Sequence, residues 1–574
     1  MVASLSYRGP DAQGTFTDEG ISLGHNRLSI IDLSASANQP MFDNAKELVI
    51  IFNGEIYNFQ ELKRELEDQY EFKTRSDTEV ILAGYRKWGK EVANKLNGMF
   101  AFAVWDKRDE SIFCARDHAG MKPFYYFWDT SNFSGQAGKF IFASEMPAIL
   151  THDVPRQLNT EAFNHYLRVL YTPEPMTLVQ NIYKLPPSHT LILKDGAISI
   201  EKYGEDFVES TNLTYPQAVT ELHKIVSDSV ERHLVSDVPV GVYLSGGIDS
   251  SIVLSAMSKL HKNIETFTIG FDLGGSGEEV KFNHDFELAR KTAKFFGSEH
   301  NEVKVSAKDA LDVFDEVAEH NSDPISNPTS IAMMLLAKFA KSKVSVALTG
   351  NAGDELFGGY DRYKTALLAR FFYTTPDLFA KFMFQKDDIL ARVIASERLM
   401  REGEIKNYYG KYLIGTDAVD SLINADRESW LPEHFFMLSD KMSMASALEE
   451  RMPLADKELV KFARSLPRSY KVDIFNTKKI LKDAFIDDLP EYLFKEPKRG
   501  WFSPAAKWFR DPDFSKFAKE ILSESYYAGT KTLFNWSAVQ EIFDKHVRKE
   551  EYNLTILWAI LTFQFWARRY KIKV

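Results

Sequence analysis

Val238-Pro-Val-Gly-Val-Tyr-Leu244-Ser245-Gly246-Gly247-Ile248-Asp249-Ser250-Ser251 decides the fold. An apolar run breaks at two glycines and passes directly into the helical pattern 251–259. A strand that feeds a helix through a glycine turn leaves free backbone N–H groups at the helix start, a ready site for phosphate. The serine hydroxyls add donors, and Asp249 adds a carboxylate of the kind that ligates a hard dication. Working outward, Thr266-Phe-Thr-Ile-Gly270 and Val344-Ser-Val-Ala-Leu348 are further apolar runs, each beside a helical pattern. Continuous apolar strands alternating with helices predict a parallel, doubly wound sheet. The second of these runs ends in Thr349-Gly350-Asn351-Ala352-Gly353-Asp354-Glu355-Leu356-Phe357-Gly358-Gly359-Tyr360. Two carboxylates in a glycine-rich loop at a strand's C-terminal end suit a metal–triphosphate site at a topological switch point.

Upstream the character differs. The first ~200 residues carry short β-type runs, Ile21–His25, Leu48–Phe52, Phe100–Val104 and Lys139–Ala143, with helical patterns only at 58–69 and 78–90. The polar stretch 201–216 is expected to be the linker. From about residue 365 onward the chain reads as nearly all helix, ending in a buried helix over 554–567. That last stretch is too short and too interrupted by Thr555, Thr562 and Gln564 to span a bilayer.

Composition narrows the classes. The 574 residues are 44% hydrophobic and 26% charged, which rules out a disordered or collagen-like chain. A net charge of −11 argues against a nucleic-acid partner, which needs a basic surface. The single cysteine, Cys114, cannot form an internal disulfide or a thiolate metal site, and it sits inside a β-run as a packed core thiol. No secretory signal pattern opens the sequence, so a cytoplasmic location without membrane attachment is expected. Gly84-Tyr-Arg-Lys-Trp-Gly89-Lys90-Glu91 imitates a P-loop, but Glu91 replaces the required hydroxyl and the string lies in a helical pattern.

The serine–glycine loop resembles that of pyrophosphate-releasing (PP-loop) ATPases. Together with the Gly353–Tyr360 run, Asp440-Lys-Met-Ser-Met-Ala445 through Leu448, Glu449, Arg451 and Pro453, and Lys498-Arg-Gly500-Trp-Phe-Ser-Pro504, it resembles the glutamine-hydrolysing asparagine synthetases. The front half agrees through Arg8-Gly-Pro-Asp11, Gly24-His-Asn-Arg27-Leu-Ser-Ile-Ile-Asp32, Asn53-Gly-Glu-Ile-Tyr-Asn58, Ser76-Asp-Thr-Glu79 and Ala115-Arg-Asp117.

The resemblance implies an α/β chain of two domains. Residues 1–204 would form an N-terminal-nucleophile glutaminase domain, an αββα sandwich, and 205–574 the PP-loop synthetase domain with its helical C-terminal region. Arg27 would grip the glutamine α-carboxylate, with Leu28, Ser29, Ile30 and Ile31 behind it. Asp77 would hold the α-amino group, Glu55 would be a further glutamine-binding residue, and Asn53 and Gly54 would supply oxyanion donors. Leu244, Ser245, Gly246, Gly247, Asp249, Ser250, Ser251, Ile269, Thr349 and Gly350 would bind ATP. Asp249 and Asp354 would hold Mg2+, and Lys498 would neutralise the departing pyrophosphate. The partners implied are small molecules only: aspartate, ATP, and glutamine or ammonia. A homodimer is compatible with this.

Two departures matter. The family's nucleophile is an N-terminal cysteine on a strand well upstream of the Arg-Gly-Pro-Asp motif. Here Arg8 already opens that motif, so this chain is expected to use ammonia, while a fuller version would take nitrogen from glutamine. The retained Arg27, Asn53, Gly54 and Asp77 favour a mis-called start over real loss of the nucleophile. The second departure is Asn351, where the family usually has an acid. An amide there can orient ammonia but cannot deprotonate it. Three readings follow: aspartate amidation through β-aspartyl-AMP, the same chemistry on a sugar or peptide carboxylate, and a non-catalytic binding relic.

Overall fold

The computed structural model describes residues 1–129, 139–204, 209–275, 277–395, 398–496, 500 and 502–574. Its strands in chain order are β1 (Ala12–Asp18), β2 (Ile21–Arg27), β3 (Met41–Phe42), β4 (Leu48–Ile56), β5 (Gly98–Asp106), β6 (Ser111–Arg116), β7 (Tyr125–Asp129), β8 (Lys139–Ala143), β9 (Ile182–Lys184), β10 (His189–Lys194) and β11 (Ala197–Lys202). Beyond these come β12 (Val240–Tyr243), β13 (Glu265–Phe271), β14 (Glu299–Val305), β15 (Val346–Leu348) and β16 (Glu449–Arg451).

The N-terminal half is a four-layer sandwich, and side-chain alternation shows why. An antiparallel sheet runs in the order β11-β10-β6-β5-β4-β3. Leu48, Ile50 and Phe52 of β4, with Phe100, Phe102 and Val104 of β5, point to one face and pack on the helices Phe59–Leu66 and Asp77–Trp88. Their neighbours Val49, Ala101, Ala103 and Trp105 point to the other face and meet β2 and the second sheet, β8-β7-β9. Phe124, just ahead of β7, and Tyr126 on it join that inner layer while Tyr125 and Phe127 turn outward onto the helices Met146–Ile149 and Thr160–Val169. A strict period of two thus places each strand between two apolar layers. Cys114 lies in the inner layer, fully buried, as its β-run implies. Gly84 falls inside the helix Asp77–Trp88, so the P-loop imitation is a helix end.

The C-terminal half is built on the expected parallel sheet, in the order β14-β13-β12-β15-β16. Val242 and Leu244 pack on one side with the helix Ile248–Leu260, while Phe267, Ile269 and Phe271 pack on the other. Both faces are therefore covered, which explains the unbroken apolar runs. The region after residue 365 is nearly all helix, as expected; the exception is Glu449-Glu-Arg451, which joins the sheet beside β15 with Leu348 opposite Arg451. Three charged residues carry no strand pattern; they are tolerated there because Arg451 pairs with Glu449 and Ser439 donates to Glu450. The final helix, Leu554–Tyr570, is buried against the rest of the helical region, and among the described residues no helix is long and apolar enough to cross a membrane.

The halves share their cores. Tyr57, Met99 and Met121 pack with the helix Ile248–Leu260 and its neighbours, and Arg8 binds both Glu145 and Asp440 at 2.7 Å. Lys122 reaches the same Asp440 at 3.0 Å. An interface this apolar and ion-paired fixes one half against the other.

Candidate active site and its relatives

The chain leaves β12 towards β13 and β14 on one side and returns to β15 on the other, so β12 and β15 flank the switch point of the sheet. The Ser245–Ser251 loop lies at the end of β12. Its hydroxyls fold inward: Ser250 Oγ donates to the Gly247 carbonyl at 3.2 Å and Ser251 Oγ to the same carbonyl at 2.7 Å. Ser245 N donates to Ser250 Oγ at 3.2 Å. The turn is thereby held open-mouthed at the start of a 13-residue helix. Leu244 and Ile269 are buried beside it, and Thr349 begins the second loop at the end of β15. The two loops touch: a Cβ on Gly350 would stand 2.5 Å from Ser250 N, and one on Gly353 would stand 2.7 Å from the Asp249 carboxyl carbon.

Asp249 and Asp354, from the two loops, converge on one cation, Lys478. Its ammonium binds Asp249 and lies 2.7 Å from Asp354 Oδ1. Burial opposes the charge, but the two carboxylates outweigh it and hold the lysine pKa above its ordinary value. Lys478 has a left-handed backbone, φ 52°, just ahead of the helix Lys479–Ala484, a conformation that costs a non-glycine residue ~1 kcal/mol or more and is kept where surroundings impose it. Sequence reasoning missed this residue. The available signal was a lysine pair opening a helix, where the macrodipole disfavours cations. Lys498, assigned the cationic role from sequence, lies outside the described residues.

Two carboxylates meeting a single positive charge leave an anionic excess that suits a dication carrying phosphate oxygens, so the donor set fits Mg2+. Among the described residues no three His, Cys, Asp or Glu side chains converge as a metal-holding group. Beside the pair, burial pushes Glu355 up to about 7, and Tyr360 donates to it. Asn351 is half-buried in the turn, its N–H donating to Thr349 Oγ1 at 3.4 Å.

Gly359 offers a direct check on this cluster. A Cβ there would fall 1.9 Å from Asp354 Oδ1 and 2.2 Å from Lys478 Cε. Gly359→Ala is expected to displace both and to lower ATP-dependent pyrophosphate release roughly 100-fold, the usual result of an ångström-scale misplacement. Near-normal release would remove Lys478 and Asp354 from the site.

A second site lies in the N-terminal half, a cavity of about 410 Å3. It is lined by Arg27, Leu28, Ile30 and Ile31, by Asn53, Gly54 and Glu55 of β4, and by Asp77 at its helix start. Ser29 is not among the lining residues; its N–H turns to Asp11 at 2.7 Å. Gly54 has φ 147°, and a Cβ there would meet the Met99 carbonyl at 2.0 Å, so the strand can present its backbone to the cavity only with glycine. Asn53 Nδ2 reaches Ser144 Oγ at 3.5 Å. Both terminal nitrogens of Arg27 bind carbonyls or amides of residues 31–38, so the guanidinium braces that loop. Burial raises Asp77 to about 6 against the Ile56 and Thr78 N–H groups, and burial likewise raises Glu55. His25, half-buried and with its pKa pushed down by desolvation to about 4, meets the Phe52 carbonyl at 2.9 Å.

An asparagine synthase family model matches residues 221–568, more than half of the chain, and a glutamine amidotransferase domain model matches 1–204. The chain is 31% identical to asparagine synthetase [glutamine-hydrolyzing] 1 of Bacillus subtilis, over 99% of this chain and 92% of that one. The chain belongs to the asparagine synthase family. It is therefore an amidotransferase-type ligase whose two halves are the sandwich and the parallel-sheet domain described above. A putative asparagine synthetase [glutamine-hydrolyzing] of Mycobacterium tuberculosis is 30% identical over 98% of this chain and 92% of that protein. A more distant relative is the amidase chry2 of Gibberella zeae, 25% identical over 95% of this chain and 90% of that one.

Proposed function

We propose that the chain converts a carboxylate to an amide at the cost of ATP, through an acyl-adenylate, and that the acceptor is the side chain of aspartate. The observation that carries this reading is the convergence of Asp249, Asp354 and Lys478 at the switch point beside an open helix N-terminus. We assign the division 1–204 and 205–574, with nucleotide bound by Leu244–Ser251, Ile269, Thr349 and Gly350. The loop N–H groups and the exposed Ser245 hydroxyl hold and orient the triphosphate, with Ser250 bracing the turn. The acceptor carboxylate displaces pyrophosphate from the α-phosphorus, ammonia attacks the acyl carbon, and AMP leaves. Mg2+, bound by Asp249 and Asp354, would neutralise phosphate charge. Lys478, buried and held cationic, supplies positive charge where pyrophosphate departs, without reorganisation during the reaction.

Glutamine fits the N-terminal cavity, its α-ammonium between Glu55 and Asp77. Only the ionised Asp77 attracts it. Because burial raises Asp77 to about 6, affinity is expected to fall about tenfold between pH 7 and pH 5. Calorimetric titration of glutamine across that range checks this; a flat profile would remove Asp77 from the ammonium site.

Asn351 and the likeness to the amidase chry2 favour a second reading, the same chemistry on another carboxylate. The discriminating experiment offers ammonium and ATP with aspartate or with a panel of amino acids and sugar acids. Aspartate is expected to give the largest stimulation of pyrophosphate release, with asparagine formed. An inactive aspartate beside an active sugar acid would overturn the aspartate assignment and leave the ATP chemistry standing.

A further inference from the structure

We propose that Arg451 couples the amino-acid cavity to the nucleotide site, so that an α-ammonium bound between Glu55 and Asp77 tightens ATP binding. The inference rests on the reading of both sites given above.

One residue links the two walls. Arg451 lies on β16 and is fully buried. Its side chain sits behind the cavity wall, against two of the lining carboxylates: Nη2 is 3.3 Å from Glu55 Oε1, Nε donates to Glu449 Oε1 at 2.8 Å, and Nη1 donates to the carbonyls of His233 and Val235. Its backbone points the other way, the Arg451 carbonyl accepting the N–H of Thr349 at 2.9 Å. Thr349 is the first residue of the second nucleotide loop. Glu449, on the same strand, lines the cavity with Glu55 and Asp77. The wall of the N-terminal site is thus partly made by the edge strand of the C-terminal sheet.

This corner is under-satisfied. Glu55 Oε2, Tyr57 Oη, His233 Nε2 and Arg451 Nη2 are all buried with no hydrogen-bond partner among the described residues. Buried polar groups are almost always bonded, and each exception calls for a reason. Here three carboxylates, Glu55, Asp77 and Glu449, share one guanidinium in contact with two of them. A second cation placed against Glu55 and Asp77 takes over part of Glu55 and lets Arg451 settle on Glu449. Both partners of that shift lie on β16, whose carbonyl anchors Thr349, so the strand that registers the ammonium also sets the position of the nucleotide loop. The packed interface between the halves keeps this from dissipating as free domain motion.

The test uses the full chain, in which glutamine should persist as a ligand. ATP affinity is measured by calorimetry with and without saturating glutamine, no acceptor being present. The wild-type chain is expected to bind ATP about 5-fold more tightly with glutamine, and by reciprocity to bind glutamine tighter by the same factor with ATP. Arg451→Lys keeps the charge but not the fork that reaches Glu55 and Glu449 together. Whatever its affinity for each ligand alone, the ratio of its ATP affinities with and without glutamine is expected to fall to near 1. Should that variant fail to fold, Glu449→Gln, which weakens the same link with little change of shape, is expected to lower the ratio likewise. A wild-type ratio of 1 with both ligands bound overturns the coupling alone. A ratio that survives both substitutions removes Arg451 from it. Absence of either ligand from the wild-type chain overturns the site reading and the coupling together.

Discussion

Incubated with glutamine, ATP and acceptor, Cys114→Ala is expected to match the unsubstituted chain both in glutamate released and in amide formed. Where an enzyme relies on a nucleophilic thiol, its removal lowers the rate by roughly four orders of magnitude, because no neighbour takes its place. The one cysteine cannot serve: Cys114 is fully buried in the inner layer between the sheets, and burial raises its thiol pKa. Glutamate release lost on Cys114→Ala would show that this thiol is the nucleophile after all.

The second large effect lies in the nucleotide site. Lys478→Met is expected to lower acceptor-dependent AMP formation by roughly three orders of magnitude, in the range found when one preorganised charge donor is removed. Asp249→Ala and Asp354→Ala should each be as severe. The stability effects should differ in a telling way. Lys478→Met strands two facing carboxylates in a buried place, so its melting temperature should fall, and excess Mg2+–ATP should recover part of that loss. Asp249→Ala leaves one carboxylate with the lysine and should unfold closer to the wild type. Near wild-type AMP formation by Lys478→Met would return the cationic role to Lys498, the residue the sequence motif suggested.

How much was legible beforehand depended on range. The PP-loop turn, the apolar runs and the Cys114 core position were readable because strand, turn and burial signals act over a few neighbouring residues. The αββα order came from resemblance, and the alternation on β4, β5 and β7 then shows why those segments occupy it. The Gly84–Glu91 imitation could be rejected for the same local reason, since a helical period ran through it. What no local pattern signalled was charged and short. Glu449–Arg451 has no apolar pattern, and it is a strand because β15 lies beside it and Arg451 pairs with Glu449 and, across the interface, with Glu55.

The sequence by itself determined the two-part architecture, the two glycine-rich loops with Asp249 and Asp354, and the core position of Cys114, because each is written in contiguous residues whose spacing has physical meaning. Only the tertiary structure decided that Lys478 is the cation those carboxylates share, that Arg27 braces its own loop, and that Arg451 stands between the two sites. The reason is electrostatic. A charge's role is fixed by the partner that burial brings within a few ångströms, and those partners lie hundreds of positions away along the chain, 229 residues between Asp249 and Lys478.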